Sequence, residues 1–195
     1  MSESVHLTAA IVVAKPRLRA YLRASVKPAS GWSRQQWAGL TEAWHGDHER
    51  HEYRDELPAA IEECDGWIGG DYATVFRDLA HDDELTFRFD EATGSLAIDF
   101  SCRAEFRLPT LVWAVTVVRG IAEFMAGDDH GIVTVTTDWN GDSILMDLAP
   151  RHTAFIGDAR ARARARDREI DIRSAAGDAY EADSAAETID WLIDD

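Results

Sequence analysis

The chain has 195 residues, 46% of them apolar and 29% charged, and a formal net charge of −16 at pH 7. That length fits one domain, and an ordinary apolar content with seven Trp and seven Phe excludes global disorder. No run reaches the roughly 18 uncharged apolar residues of a membrane helix, and two cysteines cannot build a disulfide scaffold.

The charge is uneven. Residues 1–50 carry net +3, residues 51–150 net −15 and residues 151–195 net −4. Such a field repels nucleic acid and anionic membranes and steers basic partners inward. The segment Met1–Ser4 has no basic run ahead of the apolar stretch Val5–Ala14; Lys15, Arg17 and Arg19 follow it. This reverses the charge order of a secretory signal, so a cytoplasmic protein with reduced thiols is expected.

In chain order, Val5–Val13 reads as a strand, and Arg17–Val26 fits a short helix or a second strand equally well. Ser33 is placed to cap a helix whose Trp37, Leu40 and Trp44 share a face. Pro58 is expected to open a separate helix over 58–64, and Asp65–Gly70 reads as a loop. Asp71 is an N-cap for a helix over 72–81 carrying Tyr72, Val75, Phe76 and Leu79 on one side.

The period then changes to two. Leu85, Phe87 and Phe89, then Leu96, Ile98 and Phe100, predict a β-hairpin whose second strand runs on toward Cys102, Ala104 and Phe106. Residues 109–125 predict a helix apolar on nearly every side, interrupted by Thr110, Thr116, Arg119 and Glu123. Strands at 132–139 and 143–148 flank Asn140-Gly141, a strong hairpin-turn signal. Beyond them, Asp158 caps an Ala-Arg helix to about Arg166, a strand is expected near Glu169–Arg173, and Ser184 caps a last short helix.

The whole reads as an α+β domain: an antiparallel sheet of about four to six strands built from hairpins and packed by helices, with 109–125 at its centre. Residues 66–195 form its hairpin-containing core, and residues 1–65 read as a strand-plus-helix extension that could stand apart.

Chemistry-bearing patterns are few. His45, His48, His51 and Glu52 lie at helical spacings that place donors on neighbouring surface positions, as a metal site needs. Gly46 interrupts that helix, and Asp55 stands where the zincin motif has its second His, so a solvated polar helix end is the preferred reading. No resident cofactor is expected; adventitious zinc or nickel would fit the cluster. Nucleophile-elbow, dinucleotide and phosphate-loop patterns are absent from the sequence.

Asp82, Asp83 and Glu84 form one expected helix-to-strand connection, and Asp128 and Asp129 another. If both lie at one end of the sheet, they build an acidic rim with Asp138 and Asp142. Trp67 and Trp139 are the tryptophans least explained by a core stripe, and an aromatic in an acidic rim is a common composition for a protein-docking hot spot. The arginines at 160, 162, 164 and 166 are flanked by acids, which argues against direct nucleic-acid binding.

The run from Phe76 to Leu148, with its strand pair, its Leu108-Pro109 helix and its Trp139-Asn140-Gly141 hairpin, loosely resembles the small acidic immunity proteins of bacterial polymorphic toxin systems, in the broad style of the WapI type. The resemblance lies in element order and acidic loops over less than half of the chain. It implies a non-enzymatic inhibitor that neutralises a basic partner, a toxin or nucleic-acid-binding protein, through an acidic, Trp-containing face. A nucleic-acid mimic directed at a restriction or DNA-binding protein, and a metal-dependent enzyme centred on His45–Asp55, are the alternatives.

Overall fold

A computed structural model gives the fold; it describes residues 3–42, 50–82, 84–177 and 184–194, without the side chains of residues 50–52 and 140–142. The protein is α+β, with one six-stranded, wholly antiparallel sheet ordered β2-β3-β1-β4-β5-β6. The strands are β1 (Ser4–Val12), β2 (Leu85–Asp90), β3 (Ser95–Arg103), β4 (His130–Thr137), β5 (Asn140–Ala149) and β6 (His152–Phe155). The first strand in sequence thus lies in the middle of the sheet, between β3 and β4, and not in an appendage to residues 66–195.

Alternation sorts the two faces. Leu7, Ala9, Ile11, Ile98, Val133 and Met146 enter the main core, which helices cover. These are α1 (Lys15–Arg23), α2 (Arg34–Glu42), α3 (Arg50–Trp67), α4 (Tyr72–His81), α5 (Arg107–Arg119) and α7 (Ala185–Asp194). The segment open to two readings is therefore helical. Its Tyr21 is fully buried and donates to the Val117 carbonyl at 2.6 Å, which pins α1 to α5. The core helix spans 107–119 and tightens into a 3₁₀ turn at Gly120–Glu123, so it begins and ends earlier than the apolar run predicts.

The other sheet face is covered by α6 (Ala159–Ala175), one continuous helix where the sequence suggests a helix and then a strand. Period two at Ile170 and Ile172 misleads: Ile172 is buried and Ile170 is exposed, as a helix places residues two apart on different sides. The contact is largely polar. Arg173 forks onto Asp99 at 2.7 and 2.9 Å, Arg168 reaches Asp147 at 2.8 Å, and Glu169 accepts from Thr8 and Thr134 at 2.8 and 2.9 Å. Ile132, Leu145 and Ala165 form a small buried apolar cluster beneath the helix, with Ile156 packed against it.

Two further local expectations are corrected. Pro58 lies inside α3 and opens no separate helix. The missing amide costs one hydrogen bond, but Tyr53, Leu57, Ala60 and Cys64 keep a buried stripe through it. The β4–β5 turn is Asp138-Trp139, with Thr137 paired to Asn140, two residues before the turn expected at Asn140-Gly141. The Asp138 amide donates to the Ser4 carbonyl at 3.1 Å, which draws the strand end onto β1. The caps hold: Ser33 and Gln36, and likewise Ser184 and Glu187, bond reciprocally, and Asp71 and Asp158 accept from Thr74 and Ala161. Trp44 lies outside the described residues. Among the described residues no helix is long and apolar enough to cross a membrane.

Candidate functional site

The two acidic connections lie at opposite ends of the sheet. Glu84 enters β2 beside the end where Ser4 meets Arg103; its carbonyl accepts from Ser101. Asp129 precedes β4 at the end where Val12 meets His130 and Ser95. Eight strand steps, about 26 Å, separate the two ends. A single rim joining Asp82–Glu84 to Asp128–Asp129 therefore does not form.

Asp129 is also consumed internally. It is 7% exposed and accepts from Arg17 Nε and Nη2 at 2.5 and 2.8 Å and from the Ala126 amide at 2.9 Å. Its bond raises the Arg17 pKa. Asp128 is exposed beside it. Asp83 lies outside the described residues, and so does the side chain of Asp142.

The Ser4/Arg103 end keeps the rest of the expected site and adds to it. Trp67 is the last residue of α3 rather than part of a loop, and it is 43% exposed. Its ring centroid lies 6.2 Å from that of Phe106, which is 55% exposed. Phe106 is not a strand residue: β3 stops at Arg103, and Phe106 is the N-cap of α5. On the same end, Arg107 bonds Glu3 through Nε and Nη2 and lies 5.6 Å over the Trp139 ring. Trp139 is half-buried against the core, so Trp67 and Phe106 carry the exposed aromatic area. His6 and Asp138 are 3.2 Å apart at this end. Asp82 is exposed at the end of α4.

Two grooves flank Phe106. One, of about 420 Å³, runs between α3 and the start of α5 along Tyr53, Glu56, Ala59, Ala60, Glu63 and Pro109. The other, of about 450 Å³, is lined by Trp67, Cys102, Arg103, Glu105 and Trp113. Burial, with Glu84 nearby, pushes the Cys102 thiol up to about 12, and burial does the same to Cys64. Both are neutral thiols at neutral pH, ill suited to nucleophilic chemistry.

Phe106, Glu56, Glu63 and Glu105 were not singled out by the sequence reading. Local patterning carried no signal for Phe106: a proline favours the first helical position, which would put the cap at buried Leu108, whereas the helix starts two residues earlier. Of the suggested metal ligands, His45 and His48 lie outside the described residues, and His51 and Glu52 have only their backbone described, in the first turn of α3. Among the described residues no group of three His, Cys, Asp or Glu is arranged to hold a metal.

No family model, curated protein or solved structure matches the chain.

The acid excess is partly neutralised within the fold. Arg77 pairs with Asp190, Arg107 with Glu3, Arg168 with Asp147 and Arg173 with Asp99. Interleaved pairs of this kind break up the long unpaired acidic row that a phosphate mimic requires.

Proposed function

We propose that this chain is a cytoplasmic protein-binding module that occupies and neutralises a basic partner, in the manner of an immunity protein, through the Trp67–Phe106 end of its sheet. One observation carries the reading. Phe106 stands at a helix N-cap, where it offers no side-chain acceptor to α5, and leaves more than half of its surface in water. Ser or Asp there would cap the helix and hide no aromatic. A position that breaks a local rule for no more than one exposed ring contact is one where function is expected to compensate. The paired Trp67, the acidic surroundings and the overall charge supply an anchor and a steering field for a basic protein.

The test is affinity capture at low salt with the wild-type chain, F106S and W67A, each checked for folding. The expected result is one basic protein bound stoichiometrically by the wild type, released by salt, and bound about 30-fold or more weakly by both variants, the effect of a hot-spot residue. Identical retention by all three proteins would remove this surface from consideration.

A further inference from the structure

We infer that the groove between α3 and the start of α5 is a seat for an arginine side chain of the partner, its guanidinium stacked on Phe106 and forked onto Glu56 or Glu63. The inference rests on the docking surface proposed above and names what that surface recognises.

The groove is built for a long, flat cation. Glu56, Ala59, Ala60 and Glu63 follow one another at i, i+3, i+4 and i+7, so they share one face of α3. The two alanines make a shallow floor, and the two carboxylates stand at its ends, about 10 Å apart along the helix. Phe106 supplies the exposed aromatic wall, while Tyr53 is nearly buried and bonded to the Arg107 side chain. Neither carboxylate has a hydrogen bond or ion pair among the described residues, whereas Asp99, Asp129 and Asp147 are held by arginines. Among the described residues the cation lining the groove is Arg107, which is bonded to Tyr53 and has its charge answered by Glu3. The uncompensated charge facing the groove is therefore negative.

The fold already holds cations in this way elsewhere. Arg107 lies over Trp139 while bonded to Glu3, and Lys15 Nζ lies 4.0 Å over Trp191 and 3.4 Å from Glu91. Glu56, Glu63 and Phe106 offer the same pairing of ring and carboxylate with no occupant from the described chain. A guanidinium suits it better than an ammonium, because its plane stacks on a ring and its fork matches a carboxylate.

The probe is the peptide acetyl-Gly-Arg-Gly-amide, with its lysine and citrulline counterparts, titrated into ¹⁵N-labelled protein. The tryptophan indole signals are the readout, with W67F assigning Trp67. Trp191 is a control of similar exposure, 41%, already covered by Lys15. The expected result is a saturable shift of the Trp67 signal by the arginine peptide. Binding should be about fivefold or more weaker for citrulline and for lysine, and equally weakened in E56Q/E63Q. Both glutamates are exposed, so that variant keeps its fold. A silent Trp67, an equal shift at Trp191, or undiminished binding by E56Q/E63Q would each overturn the arginine seat. If the peptide fails while F106S and W67A still lose the partner, the seat falls and the docking surface stands. If the peptide binds as expected while those variants keep the partner, the docking surface falls instead.

Discussion

Arg17 on α1 and Asp129 before β4 form a two-pronged ion pair that closes the end of the sheet opposite the exposed aromatics, with the carboxylate almost fully out of water. Its geometry makes Asp129 a structural acid. Replacing it by Ala strands the Ala126 amide and leaves Arg17 half-solvated beside a vacated polar site. D129A should lose about 2–3 kcal/mol of stability in urea unfolding, and partner capture by the folded protein should be unchanged. A stability-neutral D129A would mean that the pair is not formed in solution.

F106S tests the opposite kind of residue. Pro109 has no amide, so only the Arg107 and Leu108 amides are open to a new cap. The gain from capping, about 0.5–1 kcal/mol, should offset the lost contact with Trp67, and thermal unfolding should move little or upward. A loss above about 1.5 kcal/mol would instead class Phe106 with the core.

Arg119 is a polar interruption in an apolar run when read from the sequence, and in the fold it is fully buried. Its guanidinium carbon lies 4.9 Å from the Trp37 ring centre, 5.0 Å from Trp32 and 5.6 Å from Phe155. Nε donates to the Thr153 hydroxyl at 2.8 Å and Nη2 to the Gln36 carbonyl at 3.2 Å, while Nη1 has no hydrogen-bond partner among the described residues. Desolvation lowers its pKa to about 10. With no carboxylate among these contacts, an apolar side chain of similar length should do as well. R119M should be neutral or stabilising, and R119A should lose about 3 kcal/mol or more through the void it leaves. Equal losses for the two would show that the charge, and not the volume, holds the aromatic cage.

The two thiols set an alkaline limit. In the unfolded chain they ionise near 9, and in the fold burial holds them protonated to about 12. Between those values the unfolded chain binds fewer protons, so stability is complete below pH 9 and falls as pH rises toward 12. C64A/C102A should show a shallower loss from pH 9 to 11 than the wild type. In native protein at pH 8 a thiol reagent should spare Cys64 and modify half-buried Cys102 slowly, with both reacting at once in denaturant.

What the sequence made legible was what its neighbours decide. Asp71 and the stripe from Tyr72 to Leu79 define α4 without help from the rest of the chain. The alternation at Leu85–Phe100 and Gly94, with its φ of +68°, likewise define a hairpin. The length of α6 was not legible, because its Arg side chains are satisfied by Asp99, Asp147 and Ser143, which strand order brings beneath it. The burial of Arg119 depends on a cage drawn from α2, its preceding loop and β6, so no local window shows it. Trp67 could be chosen by its lack of a core partner in sequence, but the assignment of acids to one rim required knowing at which end each connection falls. That follows from β1 lying between β3 and β4.

The place of β1 also sets a schedule for the nascent chain. Its partners are β3, at Ser95–Arg103, and β4, at His130–Thr137. At ribosomal speeds of about 5–20 residues per second, some 120 residues of further synthesis leave this apolar ribbon without its second neighbour for roughly 6–25 seconds. During that time Val5, Leu7 and Ile11 lack one of the two strands that flank them in the fold, and the sheet closes around its first strand only once β4 has been made.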